Sequence, residues 1–179
     1  MGILMKNILI LTFFITSFVY SKTICKDIID AKINSIYIVK RKQFISDGRC
    51  VVESESVLIN TQSNQKIDID GVVDGLYIIN LSNIDILMVS YFMGAHSNAV
   101  SFFEIRENKS LFPIKNGIIG TDYSKPSIFI DELFDNIVVF NRYIKDKNKC
   151  KYLVEDIFEY KNKKFNKIIS NNILKKFCK

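Results

Sequence analysis

Histidine and tryptophan are nearly missing from these 179 residues: there is one His, at position 96, and no Trp. Metal sites and catalytic dyads that depend on imidazole are therefore scarce from the outset. Glycine is thin as well, at seven residues, which excludes a collagen-like chain. A hydrophobic content of 48% excludes a disordered one. After the first two dozen positions no apolar run approaches the ~18–20 residues that a bilayer-spanning helix requires. The length fits one ordinary domain.

What is present begins with an export signal. Lys6 supplies a positive start, Ile8 to Val19 is an apolar stretch broken only by Thr and Ser, and Val19-Tyr20-Ser21 closes it with small residues at the −3 and −1 positions. Residues 1–21 are thus expected to be a secretory signal peptide, cleaved near Ser21, and residues 22–179 a single exported domain in the periplasm or outside the cell. No stable membrane span is expected in the mature chain.

Cysteine usage agrees with that address. Cys25, Cys50, Cys150 and Cys178 all lie after the signal, and an even set in an oxidising compartment reads as two disulfides. Three connectivities are open. Local pairing, Cys25 with Cys50 and Cys150 with Cys178, would close a loop at each end, each contributing roughly 3 kcal/mol in the chain-entropy account. No two cysteines have the close spacing that zinc sites favour.

The formal charge of +6 is unevenly placed. Lys22 to Asn141 holds 12 Lys and Arg against 15 Asp and Glu, a net of −3. Arg142 to Lys179 holds 12 against 4, a net of +8. The basic end alternates lysine with aromatics, as in Glu159-Tyr160-Lys161-Asn162-Lys163-Lys164-Phe165. It reads as a solvated hairpin tip, or as a cationic surface facing an acidic protein or another envelope anion. Nucleic acid is not an expected partner, because the chain is exported and shows no binding motif.

Short runs rich in β-branched and aromatic residues dominate the mature chain: 35–39, 51–59, 76–80, 86–92, 99–105, 127–130, 137–140 and 151–160. Asn, Asp, Gly and Ser clusters separate them, a pattern of antiparallel strands rather than βαβ units. About eight to ten strands are expected. Helix signals are limited to Lys26–Lys32 and Lys167–Phe177, giving one or two short helices in a mainly antiparallel all-β domain.

One segment occurs twice. Ile69-Asp70-Gly71-Val72-Val73-Asp74-Gly75-Leu76-Tyr77-Ile78-Ile79-Asn80 aligns without gaps on Ile130-Asp131-Glu132-Leu133-Phe134-Asp135-Asn136-Ile137-Val138-Val139-Phe140-Asn141, with the Ile, both Asp and the closing Asn identical. Phe103-Glu104-Ile105 before Arg106-Glu107-Asn108-Lys109 similarly echoes Phe158-Glu159-Tyr160 before Lys161-Asn162-Lys163. Self-similarity of this kind marks stacked or radially arranged β units. The acidic turn resembles the FG-GAP or VCBS repeat, whose loop runs D-x-D-G-D-G-x-x-D before a strand. Asp68-Ile69-Asp70-Gly71 matches the opening and Asp74 the closing acid, while the middle acid is missing and the segment is two residues shorter. The resemblance implies a small propeller-like or sandwich-like domain that binds rather than catalyses. It also makes Asp68, Asp70 and Asp74 candidate calcium ligands, since calcium takes about six to eight oxygens. Asx turns are the structural alternative for the same residues. No other cofactor is expected.

An enzyme is not expected. His96 lies in Gly94-Ala95-His96-Ser97-Asn98, which lacks the closing glycine of a nucleophile elbow. Thiols that pair as disulfides leave no cysteine nucleophile, and nothing singles out one carboxylate pair among 19 acids. A small, exported, disulfide-bonded β chain of this build resembles periplasmic immunity proteins and lysozyme-type inhibitors. That resemblance implies a protein partner, a toxin or a cell-wall hydrolase, occluded by a protruding loop. The candidate loops are Tyr91 to Asn98 and Gly117 to Lys125, with Tyr91, His96, Asn98, Asp122 and Tyr123 as contact residues. An envelope structural protein stabilised by calcium is the alternative from another class.

Overall fold

The computed structural model describes residues 24–94, 97–121, 128–131, 136–144 and 151–177. Twelve strands run through them: β1 (Ile29–Ile33), β2 (Tyr37–Ser46), β3 (Arg49–Asn60), β4 (Gln65–Ile69), β5 (Val72–Leu81), β6 (Ile84–Phe92), β7 (Asn98–Ile105), β8 (Leu111–Thr121), β9 (Ile128–Asp131), β10 (Asn136–Ile144), β11 (Lys151–Lys161) and β12 (Lys164–Phe177). They form a four-stranded sheet in the order β1-β2-β3-β4 and an eight-stranded sheet in the order β5-β6-β7-β8-β12-β11-β10-β9. The larger sheet curls into a half-barrel. Neighbouring strands pair antiparallel except where β8 meets β12, which pair parallel at Lys115 and Lys164.

Both faces of β6 and β7, the middle strands of the β5–β8 half, are covered. Leu87, Val89, Tyr91, Ala99 and Phe103 turn one face toward Tyr37, Val39, Leu58 and Ile69 of the four-stranded sheet. Ile86, Val100, Phe102 and Ile119 turn the other face into the curl, against Ile137, Tyr160 and Phe165. This double burial explains the sequence of these strands. A strand wetted on one side alternates apolar and polar residues, whereas one buried on both sides reads as a continuous apolar run. Ile86-Leu87-Met88-Val89 and Ala99-Val100-Ser101-Phe102-Phe103 are such runs.

The curl is made possible at β8. Ser101 pairs with Ile118 and Phe103 with Pro113, so the residues from Ile114 to Gly117 bulge out opposite Phe102. A bulge bends its strand and raises the local twist, and it is one of the few places where proline fits within a sheet. Asn116 takes φ 57° within it, and its Nδ2 donates to the Phe165 carbonyl on β12 at 3.1 Å. A side chain on Gly117 would bring its Cβ to 2.7 Å from the Ile114 carbonyl oxygen, so glycine is required there.

Two helix expectations are corrected. Lys26–Lys32 runs into β1, and Lys167–Phe177 lies within β12. Both segments space their isoleucines in a way that also fits a helix, but each has a neighbouring strand to pair with: β1 meets β2 from Ile29/Lys40 to Ile33/Tyr37, and β12 meets β11 along its length. Cross-strand pairing overrides the local preference. The duplicated segment occupies two different settings. Its first copy turns the corner from β4, in one sheet, to β5, in the other, while its second runs from β9 to β10, which are hairpin neighbours in one sheet.

The described residues divide into two compact units, the smaller containing Ile24–Lys26 and Gln43–Val51. Within that unit Asp47 and Gly48, at φ 49° and 70°, form the turn between β2 and β3. Both central residues having positive φ is the signature of a type I′ hairpin. Cys25 and Cys50 stand at disulfide distance, Cα to Cα 5.6 Å, and Gln43 Nε2 donates to the Lys26 carbonyl at 3.0 Å. Phe44, Ile45 and Val51 are exposed there. Cys150 and Cys178 lie outside the described residues.

Candidate functional site

Hairpin geometry assembles the site. β5 turns into β6 through Ser82 and Asn83, and β11 into β12 through Asn162 and Lys163, all four residues at positive φ. These two-residue turns match the twist of their strands. β7 turns into β8 through a longer loop, Arg106 to Ser110, closed by Lys109 N to Arg106 O at 2.7 Å and Arg106 N to Ser110 O at 3.1 Å. Because β12 runs parallel to β8, the β11–β12 turn arrives at the same end of the sheet as the other two. The three turns enclose an open groove of about 890 Å³, lined by Asn83, Ile84, Asp85, Glu104, Ile105, Arg106, Glu107, Asn108, Lys109 and Lys163.

The four-stranded sheet anchors the floor of this region. Tyr37 Oη and Asn60 Nδ2 both donate to the Lys109 carbonyl, at 2.8 and 2.7 Å. Gln65 bonds Leu111 twice, Nε2 to the carbonyl at 2.7 Å and Oε1 from the amide at 2.9 Å. Lys109 is thereby fixed at φ 61°, a conformation unusual for a residue bearing a β-carbon.

Charge in the groove is arranged around Glu104. Its carboxylate lies 3.5 Å from Lys163 Nζ and 3.7 Å from Arg106 Nε. The Glu104 side chain is only 15% exposed, against 49% for Arg106 and 67% for Lys163, so the acid lies behind and the cations in front. The Arg106 guanidinium also stacks 3.2 Å from the centroid of the Phe112 ring, a cation–π contact that fixes its plane. Asp85, the second acid of the lining, accepts from Asn80 Nδ2 at 3.1 Å.

A second polar cluster lies in the four-stranded sheet. Arg41 holds Asp30 through two 2.8 Å bonds, Asp30 Oδ2 accepts from Ser56 Oγ at 3.1 Å, and Ser56 Oγ accepts from the Val73 amide at 3.4 Å. Nearby, Lys42 lies between Glu55 at 2.7 Å and Asp68 at 3.1 Å. Its hydrogen bonds to Glu55 and then Asp68 raise its pKa above the ordinary lysine value. This cluster ties β1, β2, β3, β4 and β5 together.

The residues expected from the sequence fall elsewhere. Tyr91 points into the first core, with its hydroxyl 3.1 Å from Ser101 Oγ, so it is not displayed to a partner. Asn98 opens β7, half-buried and paired across to Phe92 and Thr121. His96, Asp122 and Tyr123 lie outside the described residues. Asp68, Asp70 and Asp74 are spread over β4, the corner and β5, with Asp68 engaged by Lys42. Among the described residues no three His, Cys, Asp or Glu side chains gather as a metal would require. No described helix is long and apolar enough to cross a membrane.

No protein-family model, curated protein or solved structure matches this chain. The site must be judged on its own chemistry. Sequence reasoning looked for the binding loops between β6 and β7 and after β8, and did not assign Arg106, Lys109 or Lys163 a role. A signal for them was present. The echo between Phe103-Glu104-Ile105 and Phe158-Glu159-Tyr160 pairs the two hairpin ends that meet across the groove.

Proposed function

We propose that this chain is an exported binding protein that neutralises a protein partner, a toxin or a cell-wall hydrolase, in the manner of an immunity or inhibitor protein. The single observation carrying this reading is Arg106. Arginines that dominate protein interfaces are held in place before the partner arrives, so little side-chain entropy is lost on binding. Arg106 is so held, between the Phe112 ring and Glu104, at the mouth of a groove rimmed by two tight turns and the Arg106–Ser110 loop. Binding residues commonly sit on turns that a packed sheet positions. The Cys25–Cys50 pair at disulfide distance is compatible with the oxidising address that such a protein needs.

The experiment is a protection assay. Cells exporting the chain are challenged with a panel of muralytic and membrane-acting toxins, and the protected pairing is carried to a binding measurement. Arg106→Ala is expected to weaken binding about a hundredfold, the range of an interface hot spot. Protection that survives Arg106→Ala unchanged would remove the groove from the mechanism, and failure to protect against every toxin would remove the function.

A further inference from the structure

We infer that the groove receives a carboxylate-bearing, acidic segment of the partner protein, with Arg106 and Lys163 as its two contact cations; this rests on the groove being the partner surface. Three observations converge on an anion. First, with Glu104 tucked behind Arg106 and Lys163, the exposed cations of the lining, Arg106, Lys109 and Lys163, outnumber its exposed acids, Asp85 and Glu107. Lys163 Nζ donates one long bond of 3.5 Å to Glu104 and Arg106 Nε stands 3.7 Å away, both beyond the roughly 2.7–2.9 Å of a saturated charge-assisted bond, so Glu104 orients the two cations while using at most one donor of each. Arg106 approaches Glu104 through Nε, and among the described residues its two Nη groups meet no acceptor, leaving the planar fork that fits a carboxylate.

Second, the β11–β12 turn belongs to the strongly basic end of the chain. Lys161 and Lys164 flank Lys163, and Lys164 pairs with Lys115 across the joint of the sheet. The fold thus delivers part of the +8 of the C-terminal stretch to one lip of the groove.

Third, Lys163 sits at φ 58°, where glycine or asparagine is the favoured residue. A lysine there runs against the local backbone preference, and strain of this kind clusters where a side chain has a task. The acids that oppose an anion are Glu107, exposed on the lining, and Asp85, bonded to Asn80.

The test titrates the full exported chain, labelled for amide resonance, with a capped hexaglutamate peptide, a capped hexalysine peptide, an uncharged peptide and inorganic phosphate. Hexaglutamate is expected to shift the amides of Arg106 to Lys109 and of Asn162 and Lys163, with an affinity that falls as salt rises. Arg106→Ala should weaken it about tenfold, and Glu107→Gln should strengthen it. Lys163→Gly separates site from scaffold: its thermal midpoint should hold or rise while its affinity for hexaglutamate drops. Equal response to hexalysine, no shift at these amides, a stronger response to phosphate than to hexaglutamate, or full affinity in Lys163→Gly overturns the inference. A partner found by protection whose binding needs Arg106 but ignores Lys163 and salt would sink the carboxylate and leave the binding protein standing. Hexaglutamate bound at these amides, with no toxin neutralised, would do the reverse.

Discussion

The four-stranded sheet and the β5–β8 strands it packs on are held by different means. At the centre of β5–β8, β6 and β7 are a filled layer, with Leu87, Val89 and Phe103 on one side and Ile86, Val100 and Phe102 on the other. The smaller sheet commits one face to apolar packing and uses ionic and hydrogen-bonded links elsewhere: Arg41–Asp30–Ser56 to β5, and Tyr37, Asn60 and Gln65 to the β7–β8 loop. Dispersion and hydrophobic burial are insensitive to pH, while charged and hydrogen-bonded links are not. The layer should therefore respond to volume and the small sheet to protonation.

Removing volume from the layer gives the largest effect. Phe102, 1% exposed and 4.8 Å from the Phe165 ring, fills the inside of the curl. Phe102→Ala is expected to cost about 3–5 kcal/mol in denaturant unfolding, and a cost under about 1 kcal/mol would show that the curl is loosely filled. Asp30→Ala comes next. It strips Arg41 and Ser56 of their acceptor at a largely buried carboxylate, and about 2 kcal/mol is the expected loss. Amide exchange should quicken in β1–β3 before β6 and β7; uniform quickening would erase the distinction between the regions.

The smallest effect belongs to Tyr37 and to pH. Tyr37→Phe deletes one donor to the Lys109 carbonyl, which keeps Asn60, so about 1 kcal/mol is expected. Burial raises the Tyr37 pKa, and the bonds to Glu55 and Asp68 raise that of Lys42. Each group is protonated more readily folded than unfolded. Its contribution is therefore complete below about pH 10, where ordinary tyrosine and lysine titrate, and is lost as pH climbs through the higher folded-state values. A thermal midpoint that declines above pH 10 in the parent, and less so in a Tyr37→Phe, Lys42→Met double variant, is the expected result.

Much of the fold was legible because composition and spacing act locally. The expected runs overlap β2, β3, β5, β6, β7, β9, β10 and β11. The four missed strands share a reason: their strand character comes from neighbours. β4 is short and polar, and β8 carries Pro113 and Gly117 at its bulge. β1 and β12 carry isoleucines at spacings that also suit a helix, and only the partner strand decides between the two. The site was less legible. Glu104, Arg106 and Lys163 are 59 residues apart at their extremes, and their meeting depends on β12 joining β8 in parallel, which no local pattern announces.

That joint has a kinetic meaning. Strands β1–β4, β5–β8 and β9–β12 are three meanders in which each strand pairs with its sequence neighbour, so most of the ladder closes over short loops. Non-local closure is what slows β proteins, through the chain entropy lost before contacts reward it. Here that cost is concentrated where β12 docks on β8, around Lys115, Lys164 and the bond from Asn116 to Phe165. The basic lip of the groove is therefore built by the same contact that seals the second core, so Lys163 stands beside Glu104 only in a chain whose β12 has docked on β8.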